Sequence, residues 1–125
     1  MTLPQDLKYT KEHEWVKVNG ETVTVGITDH AQDQLGDIIF VEFPDLDEEI
    51  EKNESFGTIE AVKTVADLFA PISGRVTEIN ETLEDSPESV NTDPYGAGWF
   101  VKVSIADAGE LDELMTAEQY GELIG

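Results

Sequence analysis

Lys63 is the residue whose type and setting call for an explanation. It lies in Thr58-Ile59-Glu60-Ala61-Val62-Lys63-Thr64-Val65-Ala66, and between Glu60 and Asp67 it is the only charged group. A charged lysine inside an apolar β-type run has to bring its ammonium to water. It can snorkel from the edge of a sheet, or it can stand at the tip of a turn. No Gly, Pro or Asn lies between Gly57 and Pro71 to announce a turn. A type I turn nevertheless tolerates most residues. Local chemistry leaves both placements open: an ordinary surface lysine on a strand, or a presented amine.

The other reactive residue types support no independent catalysis. His13 and His30 are the only histidines and are not spaced as a metal-binding pair on one helix. The chain has no cysteine, which excludes a disulfide framework, a thiolate metal site and a cysteine nucleophile. None of Ser55, Ser73, Ser86, Ser89 and Ser104 lies in a Gly-x-Ser-x-Gly elbow. There is no glycine-rich phosphate loop. With 28 acidic side chains in the chain, a pair of carboxylates identifies nothing.

The formal net charge is −21, from 28 acidic and 7 basic side chains. Bare nucleic acid is excluded as a partner, because phosphate contacts need Lys and Arg. The acids are spread along the whole chain rather than gathered in a tail, which favours adaptation to high salt over a single basic partner. At molar salt the Debye length falls to about 3 Å and such carboxylates repel one another much less. No run approaches the roughly 20 apolar residues of a membrane span. Met1 to Asp6 lacks the basic and apolar regions of a signal peptide, so a cytoplasmic location is expected. At 125 residues, 39% of them hydrophobic, the chain is expected to form one domain, 1–125, with its own core.

The elements that must position Lys63 read mainly as strands. Glu14 to Ile27 alternates as a hairpin, with Asn19-Gly20 as its two-residue turn. Thr28 to Leu35 is a short helix, capped by Asp29 with Gln32 three residues on and closed by Gly36. Asp37 to Phe43 contains Ile38-Ile39-Phe40-Val41 and reads as a strand covered on both faces. Asp45 to Glu54 is a charged connection, and Phe56 to Ala70 is a long run of strand character closed by Pro71. A turn at Ser73-Gly74 precedes a strand from Arg75 to Asn80. Ser86-Pro87 starts a single helical turn. Asn91 to Gly98 is a loop and Trp99 to Ile105 a strand. Asp107 with Glu110, and Thr116 with Gln119, are capping signatures of two short terminal helices. Glu110, Asp112, Glu113, Glu118 and Glu122 read as their solvated face, without basic partners. About seven strands with turns between them predict an antiparallel β sandwich or partly open barrel.

Several blocks of the sequence, in order, resemble the glycine cleavage H-proteins. They are Tyr9-Thr10-Lys11-Glu12-His13-Glu14-Trp15-Val16, Val25 to Gln32, Leu35 to Glu42, Glu60-Ala61-Val62-Lys63, Ala70-Pro71-Ile72-Ser73-Gly74, Asn80-Glu81, Val90-Asn91, Asp93-Pro94-Tyr95-Gly96 and Gly98-Trp99. The resemblance runs from about Leu7 to Tyr120. Ala61 stands where many members have Ser, and the charge is more acidic than usual. The resemblance implies a lipoyl/biotinyl-carrier-type β sandwich with short helices, including a C-terminal helical segment. It implies lipoate in amide linkage to Lys63, on a monomer that is not itself an enzyme. The implied partners are a glycine decarboxylase, which loads an aminomethyl group on the arm, an aminomethyltransferase, which unloads it, a dihydrolipoamide dehydrogenase, which reoxidises it, and a lipoylating enzyme. The carboxylates Glu14 and Asp67 are implied to hold the cationic amine of the loaded arm. Absence of cysteine would suit the carrier of a reactive dithiol. A biotin carrier is disfavoured by Val62 and Thr64, where Met would be expected beside the lysine. A lipoate-relay role among H-like proteins and an unmodified acidic binding module are the alternatives.

Overall fold

The protein is described from a computed structural model, which covers residues 3–124. Two antiparallel sheets face each other. The larger has six strands in the order β1 (Lys8–Tyr9), β2 (Glu14–Asn19), β3 (Thr22–Ile27), β9 (Val101–Ile105), β8 (Gly74–Ile79) and β5 (Glu49–Ile50). The smaller has three, in the order β4 (Ile38–Glu42), β6 (Ser55–Ala61) and β7 (Val65–Phe69). The described residues therefore hold nine strands. The two beyond the expected seven, β1 and β5, have two residues each, too few for alternation to show.

The β2–β3 hairpin forms where the alternation places it, with Val16 opposite Val25 and Val18 opposite Val23. Its turn is shifted by one residue from the expected Asn19-Gly20. Asn19 pairs with Thr22, so the two loop residues are Gly20 and Glu21. Gly20 has φ 65° and Glu21 no positive φ, the pattern of a turn that needs glycine at its first central position.

Helix α1 (Asp29–Leu35) is capped by Thr28 rather than Asp29. The Thr28 hydroxyl accepts from the Ala31 N–H at 3.1 Å, while Asp29 accepts from the Gln32 side chain inside the first turn. Gly36 closes the helix by donating its N–H to the Gln32 carbonyl. Strand β4 is covered on one face only. Ile38 and Val41 are buried, but a bulge between Ile38 and Phe40 turns both Ile39 and Phe40 to the outside. Around Pro87 two short helical turns form, α2 (Thr82–Asp85) and α3 (Ser89–Thr92), in place of one turn starting at Ser86. Asn91 thus lies in α3, not in a loop.

The tail follows its capping signatures. A 3₁₀ helix at Ala108–Glu113 is capped by Asp107, and α4 (Ala117–Ile124) begins at a reciprocal box in which Thr116 and Gln119 exchange side-chain bonds. Two of the acids assigned to a solvated face have partners. Glu110 accepts from the Ser73 N–H at 2.6 Å and its hydroxyl at 3.0 Å, and Glu113 pairs with Lys52 at 3.2 Å.

Between the sheets lies an apolar core that includes Val25, Ile59, Leu68, Ile72, Val76 and Val103. A second cluster of Leu7, Tyr9, Trp15, Ala117 and Tyr120 holds α4 against the start of the larger sheet. Tyr9 and Tyr120 stack at 4.9 Å, and the Trp15 indole donates to the Pro94 carbonyl at 2.9 Å. Gly26, opposite Trp15 in the ladder, makes room for that indole: a Cβ there would meet the ring at 2.6 Å. Burying these large rings is what binds the terminal helix to the sandwich.

Candidate functional site

Strands β6 and β7 form a hairpin, with Glu60 opposite Val65 and the Ala61 N–H donating to the Thr64 carbonyl at 2.8 Å. Val62 and Lys63 form its tip, and both are exposed. The Lys63 side chain makes no hydrogen bond or ion pair among the described residues. Of the two placements the sequence leaves open, the structure shows the turn. The tip is also braced from outside the hairpin. The Val62 N–H donates to the Asp37 carbonyl at 3.1 Å. Asp37 is itself pinned on both sides by Asn91, whose amide donates to the Gly36 carbonyl at 2.9 Å and accepts from the Ile38 N–H at 2.9 Å.

Asp67 lies on β7, four positions after Lys63. It lines a cavity of about 340 Å³ together with Glu12, His13, Glu14, Ile27, His30, Ala31, Gln34, Leu35, Ile59, Ala66 and Leu68. The structure thus brings Glu14 and Asp67, 53 positions apart in sequence, to one cavity. The two carboxylates differ. Asp67 is exposed, whereas Glu14 is 2% exposed with both oxygens engaged. One Glu14 oxygen accepts from the Thr10 hydroxyl at 2.8 Å and the other from the Phe69 N–H at 3.0 Å. Burial pushes the Glu14 carboxyl up from 4.5 to about 7, outweighing those two bonds, which favour the ionised form.

The histidines also meet there, although their spacing gave no reason to pair them. Their rings are 5.0 Å apart. His13 has φ 70°, and its strained backbone is held by bonds from its N–H to the Thr10 carbonyl and from the Thr28 N–H to its own carbonyl. Its Nδ1 lies 2.8 Å from the Tyr120 hydroxyl, which lies 2.7 Å from the Thr28 hydroxyl. Burial first, and then His30, hold the His13 pKa below its ordinary value. Tyr120 is 107 positions from His13, and no local signal links them.

The cavity has apolar walls from Ile27, Ile59, Ala66 and Leu68, and acids at Glu12, Glu14 and Asp67. A two-sheet antiparallel sandwich that presents an exposed lysine on a hairpin tip is the design of the lipoyl- and biotinyl-type carrier proteins. Comparison with known proteins makes the assignment narrower. Residues 7–125 match the family model described as Glycine cleavage H-protein. The glycine cleavage system H proteins of Staphylococcus carnosus and Staphylococcus saprophyticus are each 60% identical over 125 residues, covering 100% of this chain and 99% of theirs. The crystal structure of a glycine cleavage system H protein from Mycobacterium marinum is similar with a TM-score of 0.90 at 41% identity, covering 98% of each chain. The chain belongs to the glycine cleavage H-protein family. Its function is that of the lipoyl-carrying shuttle of the glycine cleavage system, a carrier component rather than a catalyst. The family works with the P, T and L proteins of that system.

Proposed function

We propose that Lys63 is the attachment point, bearing lipoate in amide linkage on Nζ, and that the cavity shared by Glu14 and Asp67 receives the loaded arm. The observation that carries this reading is the placement of Lys63: exposed, without a side-chain partner, on a braced hairpin tip. Amide formation replaces an ammonium by a long, mostly apolar tether. Tethering gives the reactive end a high effective concentration at any docked active site. The dithiolane supplies the redox and group-carrying chemistry.

The chain's own residues have other tasks. Ile27, Ile59, Ala66 and Leu68 give the cavity its apolar walls, and Asp67 stands at its edge on β7 as an exposed carboxylate. Glu14 responds to its neighbour. With its pKa raised to about 7, it holds a proton part of the time at neutral pH. A cationic amine at close range favours the ionised form, so Glu14 releases that proton as the aminomethyl cargo arrives. The partners that use the arm are a glycine decarboxylase, an aminomethyltransferase and a dihydrolipoamide dehydrogenase, after a lipoylating enzyme has installed it.

Intact-mass analysis of the chain from lipoate-fed cells tests the reading. The expected result is one lipoyl increment, mapped to Lys63 by fragmentation, and no increment in Lys63→Arg. A lipoyl group on another lysine, or a biotinyl group at Lys63, overturns it.

A further inference from the structure

The outer face of the three-stranded sheet carries apolar side chains where solvated ones would be expected. Ile39 and Phe40 are each 51% exposed, Val65 60% and Val62 68%. Phe40 pairs with Glu60 and Glu60 with Val65, and directly opposed residues share a face. The row therefore crosses all three strands and ends beside the tip, where Val62 adjoins Lys63. The bulge that sends Ile39 outward widens it. Other exposed large apolar residues stand singly: Val18 on β2, Leu46 in a loop, Leu123 on α4. Single ones are ordinary, whereas a contiguous group at a functional lysine marks a contact surface.

We infer that the face formed by Ile39, Phe40, Val62 and Val65 is the docking surface for the enzyme that attaches the lipoyl group, and that this enzyme presents an apolar surface with a cationic side chain opposite Glu60. The inference rests on the reading of Lys63 as the attachment point. Reach selects the partner. A bare lysine offers only a four-carbon stem, so an enzyme acting on Nζ must touch the protein immediately around the tip. Partners that use the finished arm work at the end of a much longer tether. Charge supplies the second argument. Glu60 lies in the middle of the apolar row with no ion pair among the described residues, and Asp37, Glu42 and Asp67 flank it on the same three-stranded side of the molecule. A basic rim on the partner complements them.

Chemistry supplies the third argument. In the attachment step the neutral Nζ attacks the carbonyl carbon of a lipoyl acyl-adenylate. The C–N bond forms, the C–O bond to the adenylate phosphate breaks, the surplus proton leaves to solvent, and nothing is oxidised. An apolar contact that excludes water favours the neutral, nucleophilic amine over the ammonium.

The test uses the full unmodified chain, a purified lipoate ligase, lipoic acid and ATP, with attachment followed by intact mass. Phe40→Gln with Val65→Thr is expected to lower kcat/KM about tenfold or more, mainly through KM. Leu46→Gln with Leu123→Gln, equally exposed and remote, stays within about twofold. After complete loading, the Phe40→Gln, Val65→Thr protein is reoxidised by a dihydrolipoamide dehydrogenase within about twofold of the wild-type rate. Attachment within twofold of wild type for the face variant overturns the inference, as does an equal loss in the remote variant or an equal loss of reoxidation. Self-association at about 100 μM that the face variant abolishes, with attachment unchanged, would give the face to a second copy and also overturn it. Failure of the underlying reading looks different: the wild-type chain would then gain no lipoyl group at Lys63 at all.

Discussion

The hairpin tip and the cavity wall solve opposite problems with residues from different elements. At the tip, Lys63 is exposed and unpartnered, and the backbone on either side is held by single hydrogen bonds. In the wall, Glu14 is buried with both oxygens bonded, and His13 is held from behind by Tyr120 and Thr28 in a closed chain of contacts. A group that must be modified by one enzyme and presented to others has to project into water. A site that must keep a cargo from water has to be dry and arranged beforehand. The difference teaches that the backbone under the tip and the side chains of the cavity are fixed by hydrogen bonds, while the Lys63 side chain alone is left free among the described residues.

The contrast can be broken most severely at Tyr120. Tyr120→Ala removes a buried ring, its stack on Tyr9 and the hydroxyl that joins His13 to Thr28. A loss of about 3–5 kcal/mol is expected in urea unfolding, while Lys63→Ala changes stability by less than about 0.5 kcal/mol. Comparable losses would erase the distinction between the two regions.

Glu14 sharpens the contrast through pH. Its pKa is raised in the folded state, so the proton it retains stabilises the fold relative to a chain in which Glu14 ionises near 4.5. That contribution is present in full below about pH 4.5 and is lost as pH rises to about 7. The loss is on the order of 3 kcal/mol. Glu14→Gln has no proton to lose, so the stability of wild type minus variant should fall across this window and level off above it. A difference that stays flat with pH would show that Glu14 is ionised throughout. The same variant, and Asp67→Asn, should shorten the lifetime of the aminomethylated form at neutral pH. An unchanged lifetime would remove their role in holding the amine.

A smaller effect is expected at Asn91, which acts on the tip from another element. Asn91→Ala deletes the bonds to Gly36 and Ile38 that flank Asp37. It should cost about 1–3 kcal/mol and speed hydrogen exchange at the Val62 amide more than at Ile59, which is deep in β6. Equal acceleration at both would mean that the brace is general rather than aimed at the tip.

Much of the frame was legible because it rests on local rules. Alternation placed β2 and β3, the Thr116–Gln119 box placed α4, and the order of the blocks around Lys63 pointed to the family. Where expectation and structure part, the cause is a neighbour that the local pattern does not contain. Asp29 is a good cap by type, but Thr28 takes the role with its hydroxyl between the Ala31 N–H and Tyr120. Ile38-Ile39-Phe40-Val41 reads as doubly buried until a bulge shifts its register against β6. Glu110 reads as solvated until Ser73, 37 positions earlier, is placed against it. The cavity was the least legible part, because Glu14, His13 and Asp67 carry no local mark that brings them together.

The sequence by itself determined that the chain is mainly antiparallel β, that it has neither a thiol nor a nucleophile elbow, and that one lysine stands in an apolar run where its charge is out of place. Those conclusions need only residue type, spacing and order. Only the tertiary structure decided that this lysine is at a tip and that Glu14 and Asp67 line one cavity. It also decided that Asn91 and Tyr120 support the two places from a distance. The brace under the tip, the shared cavity and the supports from Asn91 and Tyr120 depend on residues 25 to 107 positions apart being brought within hydrogen-bond or cavity range. Packing of the two sheets and docking of α4 accomplish this, and no periodicity in the chain encodes it.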